Sequence, residues 1–165
     1  MTGSIMFHVP RRLVLSLLSL AFSGLALAAL PSGAAAAPAL DLSAYKGKVV
    51  YLDFWASWCT PCRQSFPWMN DLETTYGRDG LVVIAINVDH DHELAEDFLQ
   101  DNSANFKVLY DPNGRIASQF NFRDMPTSYL IGRDGKIHYV HNGFYQNREG
   151  EYLSHIQTLL NERPS

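Results

Sequence analysis

The sequence predicts a mixed α/β domain, a β-sheet covered by helices on both faces, and three observations carry that reading. Two continuous apolar runs, "KVVYLDFWA" (48–56) and "LVVIAINV" (81–88), are rich in β-branched and aromatic residues, as strands buried on both faces are. Segments of helical length with start and stop signals follow each run. Late in the chain, "TSYLIGRDGKIHYVHNG" (127–143) reads as two strands joined by the turn "GRDG".

Taken in order, the first strand leads into a helix over 61–76. Pro61 fits its first turn, where a missing N–H costs little, and "YGRDG" ends it. Pro67, inside that helix, predicts a kink. After the second strand, Asp89 is a candidate N-cap for "HELAEDFLQDN" (92–102), with Leu94, Phe98 and Leu99 on one inward face. "FKVLYD" (106–111) is a short strand closed by the turn "DPNG", and "RIASQFNF" (115–122) a short helix. His138 and His141 flank the last strand and are expected to be exposed. The closing helix, "REGEYLSHIQTLLNER" (148–163), turns Tyr152, Leu153, Ile156, Leu159 and Leu160 inward.

A chain of 165 residues with 47% hydrophobic and 18% charged side chains is long and apolar enough for one ordered domain. The net charge of −4, with no basic cluster beyond Arg11-Arg12, argues against nucleic acid as a partner. The N-terminus has the parts of a secretory signal: a basic head, the apolar run "LVLSLLSLAFSGLALAAL" (13–30), and small-residue sites at Ala26-Leu27-Ala28 and Ala35-Ala36-Ala37. Residues 1–37 are therefore read as signal peptide and linker, and 38–165 as the folded domain. The apolar run also approaches the length of a membrane-spanning helix, so an uncleaved anchor is the alternative. In either case the folded domain is expected outside the cytoplasm. Without Arg11 and Arg12 it has 11 basic against 17 acidic side chains, a net charge of −6.

Both cysteines fall in "LDFWASWCTPCRQSFP" (52–67). Four readings compete. A structural disulfide between them would close a loop too short to constrain the unfolded chain much. A zinc site lacks a second cysteine pair. A peroxidatic cysteine would want a threonine three residues before it, where Ala56 stands before Cys59. Thiol–disulfide exchange has the best local support: Cys59 falls at a helix mouth, where free N–H groups and the dipole stabilise a thiolate, and Cys62 is one turn further in.

"DFWASWCTPC", Pro67 and "MPTSYLIGRDGKI" together resemble the thioredoxin superfamily, in which a Cys-x-x-Cys pair is the redox motif. Within it, "FWASWCTPCR", "FP" at 66–67, "NVD" at 87–89 and an extra strand–helix unit over 106–122 are similar to the extracytoplasmic TlpA/ResA-like thiol:disulfide oxidoreductases. The resemblance implies a thioredoxin fold with a TlpA-like insertion. It implies Cys59 as nucleophile and Cys62 as resolving cysteine, with no cofactor beyond their redox-active disulfide. Pro126 matches the proline that is cis in this superfamily, which would leave the Met125 backbone free to pair with substrate beside Cys59. Trp58 is expected on the substrate rim, with Trp55, Pro61, Pro67 and Thr127 structural near the site. Asp53 occupies the place of thioredoxin's buried acid. Ser65 replaces the Glu of many TlpA-like chains, and Ala85 replaces thioredoxin's lysine. Asp53 is then the one nearby carboxyl able to exchange a proton with Cys62, and burial should raise its pKa.

The expected activity is periplasmic reduction of protein disulfides. Partners would be disulfide or thiol proteins, such as apocytochrome c in cytochrome c biogenesis or copper-site proteins, with a membrane electron donor. The alternatives are a DsbA-like thiol oxidase and a non-catalytic copper or apo-protein carrier.

Overall fold

The computed structural model describes residues 40–121 and 123–163. The signal peptide, its cleavage sites and the linker over 1–37, together with Phe122, lie outside the described residues. Five strands form one sheet: β1 (Val49–Trp55), β2 (Leu81–Asn87), β3 (Lys107–Tyr110), β4 (Thr127–Ile131) and β5 (Ile137–Asn142). The order across it is β3-β2-β1-β4-β5, with β1, β2 and β3 parallel and β4 and β5 antiparallel to their neighbours. Three helices accompany it: α1 (Thr60–Tyr76), α2 (His92–Asp101) and α3 (Glu149–Asn161).

β1 is central and buried along its whole length, so its residues alternate between two apolar clusters. Val49, Tyr51 and Trp55 face the cluster built with Cys62, Phe66, Met69 and Leu72 of α1, Ala95 and Phe98 of α2, and Ile156 and Leu159 of α3. Val50, Leu52 and Phe54 face the other, with Ile84, Ile86, Tyr129 and Ile131. That second face is covered by two single-turn 3-10 helices, at Ser43–Tyr45 and Ala117–Gln119, whose Tyr45 and Ala117 pack on it with Leu42, Ile116 and Phe120. Helical segments thus lie on both faces, as expected, but the second layer is thin.

Three local expectations change. The described part of the segment 115–122 holds only the 3-10 turn, with the buried carboxylate of Asp111 accepting from the N–H groups of Arg115, Ile116 and Ala117 at 2.7, 2.9 and 2.7 Å. The cap of α2 is Asp91, whose side chain accepts from the Glu93 N–H; Asp89 is engaged elsewhere. On α2 the inward residues are Ala95 and Phe98, and Leu94 is 49% exposed.

At the end of the sheet where β1 begins, the Arg133 guanidinium donates to three backbone carbonyls, those of Gly47 (2.8 Å), Asp79 (3.3 Å) and Leu160 (3.0 Å). One side chain thereby fastens the start of β1, the turn after α1 and the last turn of α3.

Candidate active site

The site forms where β1 ends and α1 begins. Trp55 closes the strand, and its carbonyl accepts from the Val88 N–H (3.0 Å). The chain turns through Ala56–Cys59, with the Cys59 N–H bonded to the Ala56 carbonyl at 3.1 Å. Cys59 is extended (φ −83°, ψ 102°) and serves as N-cap of α1, its sulfur accepting from the Cys62 N–H at 3.2 Å. Sulfur therefore occupies the place where a capping oxygen would sit, against N–H groups that have no helical acceptor. Pro61, in the first turn, has no N–H to satisfy.

Cys59 and Cys62 are joined by a disulfide, with S–S 2.02 Å and Cα–Cα 5.3 Å. Cys62 is fully buried and Cys59 is 3% exposed. Both sulfurs are enclosed in the disulfide, and Cys59 is far less open than an attacking thiolate needs to be.

Asp53 is 1% exposed, and its Oδ2 has no hydrogen-bond partner among the described residues. It shares the face of β1 that carries Tyr51 and Trp55, both members of the cluster containing Cys62. Burial holds its carboxyl well above the usual Asp value of 3.8. Its neighbours across the sheet are Ala85 on β2 and Ser128 on β4. The lysine of thioredoxin is therefore replaced by a methyl group at the register position that matters. Ser65 is buried, and its hydroxyl donates to the Cys62 carbonyl at 2.9 Å. Ser65 supplies no carboxylate.

Trp55 is wholly buried, with its ring 4.9 Å from Phe66 and 4.7 Å from Phe98, centroid to centroid. Trp58 is 69% exposed beside Cys59. Pro67 lies exposed within α1 and leaves the Arg63 carbonyl without its helical donor. The Met125–Pro126 peptide bond is cis. Pro126 is buried and its carbonyl accepts from the Gly143 N–H at 2.8 Å; Thr127, also buried, donates to the Asp124 carbonyl at 2.7 Å. A cleft of about 210 Å³ runs between Pro61 at the cysteine helix and Met125, Asp124, Gly143 and Tyr145. Gly143 has φ +75°, and a Cβ there would meet the Tyr145 ring at 3.0 Å.

Two features escaped the sequence. Asp89, read as a helix cap, is 4% exposed and holds the cysteine turn. Its carboxylate accepts from the Ser57 N–H (2.8 Å), the Ser57 hydroxyl (3.1 Å) and the Asn87 amide (2.7 Å). His141, expected to be exposed, is buried because α3 lies against β5. It stacks near Tyr152 (4.6 Å) and meets His155 with a 3.0 Å contact between Nε2 and Nδ1. Burial, and next the charge of His155, lower its pKa from 6.5 to about 4. The spacing of Asp89 and Ser57, 32 residues apart, leaves no local signal; His141 and His155 are joined only by the tertiary packing. Among the described residues, no group of three or more His, Cys, Asp or Glu side chains is placed to hold a metal ion.

The Redoxin family model matches residues 24–156. The chain is 36% identical over 98 residues to the thiol-disulfide oxidoreductase ResA of Bacillus thuringiensis subsp. konkukian (strain 97-27), covering 59% of this chain and 57% of that protein. It is 32% identical over 118 residues to ResA of Geobacillus kaustophilus (strain HTA426), covering 72% and 67%. The matched region thus spans little more than half the length of the first of these relatives. Among solved structures, a Chlorobium tepidum protein described as a thiol:disulfide interchange protein DsbE is 44% identical with a TM-score of 0.71, covering 73% of this chain and 85% of that one. The exposed lipoprotein thioredoxin Etrx1 of Streptococcus pneumoniae strain TIGR4 is 30% identical with a TM-score of 0.63, covering 71% and 89%.

Proposed function

The chain belongs to the Redoxin family, as a ResA/TlpA-like member of the thioredoxin superfamily, and we propose that it is an extracytoplasmic thiol:disulfide oxidoreductase that mainly reduces protein disulfides. The observation that carries this reading is the Cys59–Cys62 disulfide spanning the first turn of α1, with the Cys59 sulfur seated as N-cap over the buried Asp53 face. The signal-like N-terminus supports export to the periplasm, with an inner-membrane anchor as the variant of that reading.

In the reduced protein, the Cys59 thiolate attacks one sulfur of a substrate disulfide. A Cys59–substrate S–S bond forms, the substrate S–S bond breaks, and the departing sulfur leaves as thiolate and takes a proton. Cys62 then gives its proton to the Asp53 carboxylate and attacks the Cys59 sulfur. The second substrate thiolate leaves, and two electrons have passed from the protein dithiol to the substrate. Exposed Trp58 and the cleft beside Met125 and Pro126 receive the extended substrate segment. A membrane dithiol donor restores the protein, and apocytochrome c or copper-site proteins are the substrates the family resemblance favours.

Reduction of insulin disulfides by the full chain tests the activity: turnover in the wild type and none in Cys62→Ser is expected, and equal behaviour of the two makes the protein a carrier. Equilibration with glutathione tests direction. A potential near about −270 mV is that of a reductant, and one near about −120 mV that of an oxidase.

A further inference from the structure

We propose that Tyr51, Ser128, His141 and His155 form the path along which the Asp53 proton travels between the buried site and solvent. This rests on the reading of Asp53 as the proton acceptor from Cys62. Asp53 takes up a proton in each cycle and must release it, yet its carboxyl is sealed from water.

The sheet supplies a row of polar side chains leading outward. Asp53 on β1 is paired with Ser128 on β4, and Ser128 with His141 on β5, so all three project from one face. Directly opposed residues have Cβ atoms about 4.5–5.5 Å apart. Tyr51 lies on the same buried face of β1, two residues before Asp53, and places its phenol by this first step. Burial and the Asp53 charge raise its pKa, and the neighbouring Ser128 hydroxyl lowers it. The next links are direct: Ser128 Oγ to His141 Nδ1 at 3.3 Å, and His141 Nε2 to His155 Nδ1 at 3.0 Å. His155 is half-buried, on a turn of α3 that reaches solvent, stacked on Tyr139 at 4.0 Å.

From Ser128 outward a single donor direction fits both links. Ser128 donates to His141 Nδ1, His141 holds its proton on Nε2 and donates to His155 Nδ1, and the far nitrogen of His155 releases a proton to water. One proton enters at Asp53 and one leaves at His155; reversal returns a proton to Cys62 when the disulfide is reduced again. Burial and His155 disfavour the charged form of His141, and Arg148 works with them while Glu151 opposes them. His141 therefore passes the proton by gaining and losing it together, without resting as a cation. Beyond Tyr51 and Asp53 on β1, the row is built by β4, β5 and α3.

The test is single-turnover resolution of a Cys59 mixed disulfide by Cys62 in the full chain, for wild type, Asp53→Asn, Ser128→Ala and His155→Ala. Asp53→Asn should lose most of the roughly 100-fold a general base supplies, and His155→Ala and Ser128→Ala roughly tenfold each. Added imidazole should restore His155→Ala, whose lesion is next to solvent. If Asp53→Asn is slow but both relay variants keep the wild-type rate, the path is wrong and the Asp53 role stands. If Asp53→Asn itself is fast, that role falls and the path with it. A slow His155→Ala that imidazole does not restore reports a structural lesion and also overturns the proposal.

Discussion

Asp53 stands directly across the parallel β1–β2 pair from Ala85, so the buried carboxyl meets a methyl group where a cation would otherwise sit. Burial is then the force acting on its ionisation, and it acts in one direction. The site holds a carboxylic acid whose protonated form the fold favours, next to a cluster containing the inner sulfur.

Asp53 should cost stability at neutral pH. The unfolded carboxyl ionises near 3.8 while the native one stays protonated well above it, so the native state binds more protons there and stability falls as pH rises through that interval. Each pH unit in the interval costs about 1.4 kcal/mol. Asp53→Asn should therefore be more stable than wild type in urea at about pH 7 and lose that advantage near pH 3.5. An advantage that does not change with pH contradicts the assignment.

His141 should act with the opposite slope. Its native pKa of about 4 lies below the ordinary 6.5, so the unfolded chain binds the extra proton between those values. The contribution is complete above 6.5 and is lost as pH falls toward 4. His141→Gln, which keeps an amide in place of the ring, should flatten the acid limb of urea midpoints measured from about pH 7.5 to 4.5.

Removing Asp89 should loosen the cysteine turn. Asp89→Ala strands the donors of Ser57 and Asn87, and hydrogen bonds to a charged group are worth about 1.5–3 kcal/mol each. A loss of about 3 kcal/mol in chemical denaturation is expected, with slower exchange by Cys59. A loss below about 0.5 kcal/mol would show that the turn holds itself.

Trp58→Ala should separate binding from folding. With the side chain 69% exposed, stability should change by less than about 0.5 kcal/mol. The rate of exchange with a protein disulfide should fall, while exchange with glutathione stays near the wild-type rate. Equal losses for both would place Trp58 in the chemistry.

The strands and the cysteine helix were legible because their signals are local: unbroken apolar runs, Pro61 at a helix start and the "GRDG" turn. Asp53 stands out through the thioredoxin resemblance, which puts a buried acid at that place, and its burial is as expected. The errors share a cause. His141 sits in "HYVHNG", which alternates like an exposed hairpin, and only α3 laid across β5 buries it. Asp89 reads as the cap of α2 in the sequence; the Ser57 turn claims its carboxylate, and Asp91 caps the helix instead.

The Arg133 clasp has a bearing on how this molecule survives its own cycling. β1 is seven residues long, so the clasp at Gly47 and the cysteines beyond Trp55 lie at opposite poles of the sheet, over 20 Å apart at about 3.3 Å per residue. A guanidinium presents its donors in one rigid plane, so a single side chain can hold several carbonyls at once. In the proposed cycle one pole opens and recloses its sulfur ring, while the other stays knotted by contacts that the exchange does not reach.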